Sequence, residues 1–430
     1  MFVLLAANVF DPGGAFGLRY VAFALGTLCA FWALRLFYLP TRVLILGLLL
    51  FVVWPTWSLL YGAARGGDVF IGVVQVAPFV FVVIVALILP ALDHRTPLRM
   101  FYGCLFFLGL TVSAAFLVIV FLPDKAVSQR LLEFLIGLND REGYFRTVGL
   151  GDLEVPWIYF RSTLFLVPAF VYYLFVNKFV RAGVVLLALG LTLSKAGLTI
   201  AFLFGAYYSV SVLLTVSPAG REGGRKHSLA WMLRRFVPIT VVAAVVVALL
   251  WSLPALSGEI RDSWQGQSDS SQVRIGHFHS VMNLFLEHPS YLVVGQGAGV
   301  PFYSLGEFDY VQNIEIDHLN AIRKFGLPWF LAFTAVVFYS ARGLIKSGDV
   351  EGKAFGFALV SIYFAAGTNP VLTSDLFIIL MTLSYSAWKG FVGPSRSGAH
   401  SVSRPRGVGP VSLTGGHTLG YGSGVADGPG

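Results

Sequence analysis

The sequence predicts an all-α fold: a polytopic bundle of about eleven or twelve transmembrane helices carrying one large helical loop outside the membrane. Three observations carry that prediction. The chain is 56% hydrophobic and only 12% charged, with a mean hydropathy of +0.76, whereas soluble domains carry about 25% charged residues. Its apolar residues fall into runs long enough to span hydrocarbon as helix. One polar insert, Ser257–Gly326, interrupts those runs and holds four of the eight histidines: His277, His279, His288 and His318. Unpaired polar groups cost several kcal/mol each in hydrocarbon, so this insert belongs outside the bilayer.

Taken in order, runs able to cross ~30 Å of hydrocarbon lie at Phe16–Leu39, Val43–Leu60, Val69–Leu92, Leu98–Leu122, Val155–Val176 and Ala182–Leu193. Further runs are Thr199–Val216, Val237–Leu256, Leu327–Ile345, Ala354–Leu372 and Leu376–Phe391. Met1–Phe10 is expected to add a twelfth span or a half-span. It has no basic leading segment and no clear cleavage site, so a removed signal peptide is not expected. Length alone suggests two or three domains. The runs instead group into an N-terminal bundle (1–256), the polar loop (257–326), C-terminal spans (327–392) and a Gly/Ser/Pro-rich tail (393–430) expected to be disordered and cytoplasmic. Cys29 and Cys104 both sit inside apolar runs, which leaves the loops without a disulfide framework.

Orientation follows from the basic connections. Ser217–Arg235 sets Arg221, Arg225, Lys226, Arg234 and Arg235 against Glu222 alone, which assigns it to the cytoplasm. Alternation then places Arg35/Arg42, Arg95/Arg99, Lys178/Arg181 and Arg342/Lys346/Lys353 inside as well. The loops 123–154 and 257–326 fall outside. The net charge of +8 is accounted for by cytoplasmic Lys and Arg, and no nucleic-acid partner is expected.

The outer loop carries two constellations. Asp269-Ser270-Ser271 and Pro289 bracket a predicted helix over Gln272–His288. At ~100° per residue, Val273, Phe278, Val281, Leu284 and Phe285 share one face, together with Arg274 and His277. Gln272, Gly276, Asn283 and Glu287 share the other. An arginine on an apolar face either snorkels to headgroups or reaches a phosphate in a protected pocket. A second helix is predicted through Glu315–Gly326. Glu315 and His318 are three apart on an otherwise apolar face (Leu319, Ile322, Phe325), and an acid–histidine pair there can serve as general base. The bland alternative is a helix start favoured by its acids. Asp317, Asn320 and Lys324 fall on the other face, so Asp317 is expected to matter less.

Cations within or beside spans form the third set: Arg161, Lys195 in the tight Ser194–Gly197 joint, and Arg146 in the other outer loop. Such charges face a cavity or an anion, or snorkel. Gly295-Gln296-Gly297-Ala298-Gly299 follows no βα unit and reads as a tight turn rather than a nucleotide loop. No His/Asp/Glu set has convincing metal-ligand spacing, so neither a metal nor a cofactor is expected. Several cations and one acid–histidine pair on the outer face suit a phosphate leaving group and a hydroxyl nucleophile.

The order of these parts resembles the O-antigen polymerase/O-antigen ligase family of bacterial membrane glycosyltransferases. The resemblance rests on Ser194-Lys195-Ala196-Gly197, a basic inner loop, and then Ser271-Gln272-Val273-Arg274, His288-Pro289 and Gly295-x-Gly297-x-Gly299. It ends with Asp317-His318-Leu319-Asn320 and Lys324-Phe325-Gly326-Leu327-Pro328, and covers roughly Phe145–Leu344. It implies a helical, C-type-like glycosyltransferase of the bacterial inner membrane. That enzyme would act without metal on undecaprenyl-pyrophosphate-linked glycans at the periplasmic face. By the same resemblance Arg274 holds pyrophosphate, His318 matches the loop histidine of ligases, and Lys195 stands where ligases usually have arginine.

The expected activity is polymerisation of lipid-linked repeat units for O-antigen, capsule or exopolysaccharide, with inversion at the sugar carbon. Arg274, Lys195, Arg161 and Arg146 bind the pyrophosphate, and His318 or Glu315 accepts the proton of an acceptor glycan. The alternative is an O-antigen ligase with a lipid A–core acceptor; a transporter or flippase is the reading from another class. The partners implied are the lipid-linked donor, the acceptor glycan, the bilayer, and a flippase and chain-length regulator.

Overall fold

The computed structural model describes residues 1–11, 17–33, 41–89, 92–93, 95–121, 126–127, 129–130, 133, 147–150, 153–156, 161–192, 194–215 and 269–392. Expectations for the basic loop 217–235, the span 237–256, the start of the outer loop (257–268), Arg146 and the tail 393–430 lie outside these residues.

The described chain is mostly helical. Four helices are long and apolar enough to cross a membrane: Ile45–Ala64, Val69–Ile88, Thr96–Ile119 and Leu327–Lys346. Shorter apolar helices cover Leu18–Trp32, Ser162–Phe175 and Phe179–Leu191. This composition suggests a multi-pass membrane protein.

Helix α1 (Phe2–Phe10) is a half-length element, about 14 Å at 1.5 Å per residue, and its Leu4, Leu5 and Val9 are buried in the bundle. Helix α2 (Leu18–Ala33) follows. Helix α3 (Thr41–Leu48) continues through a π-turn (Leu49–Val53) into α4 (Trp54–Ala64). Pro55 explains the π-turn: it has no N–H to give the carbonyl four residues back, at Phe51. Pro78 does the same to the next span, splitting α5 (Val69–Val76) from α6 (Val80–Ile88) by a 3₁₀ turn (Ala77–Phe79). Then come α7 (Thr96–Phe121) and a two-stranded ribbon, β1 (Thr147–Leu150) with β2 (Leu153–Pro156). A 3₁₀ turn (Arg161–Phe165) leads into α8 (Leu166–Phe175), α9 (Phe179–Leu191) and α10 (Lys195–Thr215). The run expected to span from Val155 therefore starts its regular helix only at Leu166, because Val155 and Pro156 are drawn into the ribbon.

The polar segment expected to lie outside the membrane, called the outer segment for that expectation, is α11 (Asp269–Glu287), the short α12 (Ser290–Val294), a hairpin of β3 (Phe302–Ser304) with β4 (Asp309–Val311), and α13 (Asp317–Phe325). The bundle closes with α14 (Leu327–Lys346), α15 (Val350–Ala365) and α16 (Asp375–Val392). Gly326, at φ 84°, makes the sharp joint between α13 and α14.

Aromatic side chains fix the centre of the bundle. Trp329 is 1% exposed; it stacks on Phe333 at 4.9 Å and meets Phe79 edge-on at 5.5 Å. Its indole donates to the Leu50 carbonyl in the π-turn (2.8 Å), and Trp54 donates to the Phe325 carbonyl (2.7 Å). At the opposite end Arg99 makes a two-pronged bond to Glu351 (2.7 and 2.6 Å), Tyr172 donates to the same carboxylate, and Arg95 lies 3.5 Å from Asp349. Arg95, Arg99, Arg342, Lys346 and Lys353 are thus at one end of the helices, the end the sequence expects to be cytoplasmic. The outer segment is at the other.

That outer segment is seated by the glycine run. Gly295, Gly297 and Gly299 all have positive φ (79°, 105° and 79°), which confirms a turn. The turn is buried against α4 and α5: Ala298 N–H donates to Ser58 Oγ (3.0 Å), Gly299 N–H to Gln75 Oε1 (3.0 Å), and Asp68 N–H to the Gly299 carbonyl (3.0 Å). A Cβ at Gly297 would sit 2.6 Å from Gly62 Cα. We expect Gly297→Ala to cost about 2–4 kcal/mol, because a forbidden φ and a backbone collision coincide. Gly66→Ala, equally left-handed but with nothing within 4 Å, should cost only about 1 kcal/mol. Thermal unfolding of the two variants in detergent checks the difference; equal losses would contradict the seating role.

Candidate functional site

Helix α11 starts three residues earlier than expected, at Asp269, and its buried face is rotated from the one the periodicity predicts. His277, Ser280, Val281 and Phe285 are buried, but Phe278 is 47% exposed along with Ile275, Met282 and Leu286. The hairpin is the reason. Its turn packs on Gly276, where any Cβ would meet Gly306, and Leu305 N–H donates to Ser280 Oγ (2.7 Å). Gly276, expected on the solvent side, is therefore a packing position. His277 is buried as expected and its Nε2 lies 3.0 Å from Glu307 Oε1; His279 is exposed. The two histidines cannot meet at one ion. Among the described residues no group of three His, Cys, Asp or Glu side chains is placed to hold a metal.

Arg274 reaches from α11 to the segment before α13 and pairs with Glu315, Nε to Oε2 at 2.8 Å. Both side chains are about one-third exposed (33% and 38%). These atoms face each other without the angles of a hydrogen bond and have no other partner. The expectation that Glu315 and His318 share a helical face is corrected here. The helix begins at Asp317, so Glu315 lies outside it and turns to Arg274, and among the described residues no bond joins it to His318.

His318 stands instead against Tyr363 (rings 4.7 Å apart) and Phe330 (5.8 Å). Burial pushes its pKa down, opposed by a hydrogen bond to the Tyr363 main chain. Its Nε2 is buried and has no hydrogen-bond partner. A neutral imidazole with a free lone pair is a proton acceptor.

Asp317 requires a second correction. It points away from His318, but into the protein rather than to water, and is 1% exposed. Its carboxylate accepts from Leu372 N–H, with Thr373 N–H, Asn320 and Lys324 nearby. Burial raises its pKa to about 6. Lys324 bonds Asn313 Oδ1. The face of α13 expected to be polar and solvated is the more deeply buried one.

The residue that sequence reasoning missed is Arg323, which is fully buried. It donates to Gln296 Oε1 (2.6 Å), the carbonyls of Val300 (3.1 Å) and Gln312 (2.6 Å), and Asn320 Oδ1 (2.9 Å), and lies over the Phe302 ring. Every one of these acceptors is neutral. Burial lowers its pKa to about 9, which leaves it cationic at neutral pH. Arg323 thus ties the glycine turn, the hairpin and α13 into one unit. The only signal in the sequence was a second basic residue beside Lys324.

Lys195 begins α10, is partly exposed, and has Ser194 Oγ accepting from Gly197 N–H (3.3 Å) beside it. Arg161 begins the 3₁₀ turn before α8, with its side chain outside the described residues, as is all of Arg146. The structure therefore joins Arg274 to Glu315 and places His318 three residues further on, in α13, while Lys195 begins a separate helix. No protein-family model matches the chain, and no curated protein matches it.

Two outcomes separate structural from chemical residues. Arg323→Ala removes four bonds from a buried cation's cage and should cost about 3–5 kcal/mol; Arg274→Ala breaks a part-exposed pair and should cost at most about 1 kcal/mol. Thermal unfolding of both variants compares them directly. For Asp317, a pKa raised on folding contributes stability that is present below about pH 4 and lost as pH rises through about 6. Asp317→Asn should therefore gain stability relative to the parent protein between pH 4 and pH 7. A difference in melting temperature that stays constant over that range would remove the buried carboxyl from the account.

Proposed function

We propose that the chain is a bacterial inner-membrane glycosyltransferase that polymerises undecaprenyl-pyrophosphate-linked oligosaccharide repeats at the periplasmic face. The observation that carries this reading is the Arg274–Glu315 pair. Two sequence-distant charges predicted to serve one reaction are brought together just before α13, three residues from His318, whose buried Nε2 has no partner.

The acceptor hydroxyl oxygen attacks the anomeric carbon of the donor sugar. The bond from that carbon to the pyrophosphate oxygen breaks, and its electron pair leaves with the pyrophosphate. Arg274 binds that growing charge, which is electrostatic catalysis at the leaving group. To do so it releases Glu315, because one guanidinium edge cannot serve two carboxylate-like partners equally. His318 Nε2 takes the hydroxyl proton. Attack opposite the leaving group inverts the anomeric centre, as in one-step glycosidases. Lys195 and Arg161 are proposed to assist at the outer surface. The same chemistry with a lipid A–core acceptor would be ligation.

The test is transfer from a lipid-linked oligosaccharide by the purified chain in liposomes, read as a ladder on a gel. His318→Ala should lower the rate about 10²–10⁴-fold. Arg274→Lys keeps the charge but loses planar recognition and should lower it at least about tenfold. Glu315→Gln should be milder than either. Full ladders from both His318→Ala and Arg274→Lys would overturn the assignment. A single addition to lipid A–core, with no ladder, would move it to ligase.

A further inference from the structure

A second site lies at the far end of α14, away from the Arg274–Glu315 pair and His318. Tyr339, Arg342, Gly343, Lys346, Ser347 and Trp388 line an open groove of about 420 Å³ between α14 and α16. From Leu327 to Lys346 the helix rises about 28 Å, the thickness of a bilayer core. The groove and the Arg274–Glu315 pair are therefore on opposite faces of the membrane that α14 crosses.

The groove is built to hold an indole and two cations side by side. Arg342 and Lys346 are four residues apart, on one helical face. Gly343 lies between them, and any Cβ there would collide with the Trp388 indole. Trp388 is 7% exposed, meets Tyr339 edge-on at 4.7 Å, and has Lys389 Nζ 4.2 Å above its ring. At this same end the acids are already taken: Arg95 and Arg99 hold Asp349 and Glu351. Among the described residues no acid pairs with Arg342 or Lys346.

The bland account is that Lys346 in the last turn, with Arg342 one turn before it, offsets the helix carbonyls. The helix end carries about half a negative charge, so the two cations leave a surplus of about one and a half. Aromatic rings and Lys/Arg at the end of a membrane-crossing helix mark headgroup depth. At ~30 Å³ per water, the groove holds the equivalent of about fourteen waters, which is room for a phosphodiester with its alcohol.

We propose that this groove binds the headgroup phosphate of an anionic phospholipid in the leaflet opposite the candidate active site. Arg342 and Lys346 hold the phosphate, and Trp388 and Tyr339 flank the glycerol. The proposal rests on α14 crossing the membrane and is independent of glycosyl transfer.

Native mass spectrometry of the delipidated full chain in detergent tests it, with phosphatidylglycerol, phosphatidylethanolamine and inorganic phosphate titrated separately. We expect one saturable phosphatidylglycerol, with phosphatidylethanolamine clearly weaker. The double variant Arg342→Gln/Lys346→Gln should weaken that binding about thirtyfold and Arg342→Gln alone about fivefold. Lys353→Gln, an exposed lysine at the same end outside the groove, should change it less than about twofold. Unchanged binding in the double variant would overturn the site, as would an equal loss in Lys353→Gln, which would mean diffuse attraction. Displacement of the lipid by millimolar inorganic phosphate would make free phosphate the ligand instead. Because the readout is binding, it is unaffected by whether the chain transfers sugars.

Discussion

The outer segment depends on a place where backbone meets backbone. Gly62 on α4 and the Gly297–Ala298 turn approach so closely that neither Gly62 nor Gly297 tolerates a side chain. Ser58 and Gln75, polar residues within otherwise apolar helices, supply the hydrogen bonds that the turn needs. A buried turn without such partners would leave orphaned N–H groups at about 1–3 kcal/mol each. Seating the turn also fixes Gln296, and Gln296 is one wall of the Arg323 cage. The position of α13, and with it His318, follows from this chain of contacts.

A buried arginine ringed by neutral acceptors is an uncommon solution. A carboxylate partner would strengthen the local attraction, but it would also add a second desolvated charge. Here four oxygens from three separate parts of the outer segment spread the work of solvation, with Phe302 adding a ring face. The arrangement makes the segment cooperative: losing any one piece exposes a cation. Asp317, accepting from Leu372 N–H, ties the same helix to the α15–α16 connection. Both faces of α13 therefore carry structural contacts, and His318 is held between rigid neighbours rather than on a loose loop.

Much of this was legible in the sequence where one medium surrounds an element. The membrane-crossing runs at Val69, Leu98 and Leu327 follow from apolar composition alone, and the glycine run follows from turn chemistry. Periodicity misled in the outer segment because α11 and α13 each contact a bundle or hairpin on the side expected to face water. The face of α11 rotated because Gly276 accepts a hairpin turn, and a glycine carries no sign of what will approach it. Arg323 was invisible for a related reason. Its acceptors at Gln296 and Val300 are 27 and 23 residues away, and two of its four partners are main-chain carbonyls, which leave no trace in residue type. The Arg274–Glu315 pair fell between: both residues were singled out, but their pairing with each other was not, because Glu315 sits just outside the helix that was drawn through it.

That pairing bears on how an anion would bind. A part-exposed ion pair contributes about 0–1 kcal/mol, so Glu315 holds Arg274 in place without committing it. A phosphate offers the guanidinium a two-pronged, charge-assisted geometry that is stronger than a typical neutral bond, and it carries more charge than one carboxylate. Under the proposed function, exchange of Glu315 for phosphate on Arg274 would be favourable once the phosphate is brought near, at little cost in reorganisation because His277 and Ser280 pin α11. The released carboxylate then lies three residues from His318, where its charge favours the imidazolium that forms when Nε2 accepts a proton. Under the proposed transfer reaction the pair is a resting state, with Arg274 serving the leaving group and Glu315 the histidine that takes the acceptor's proton.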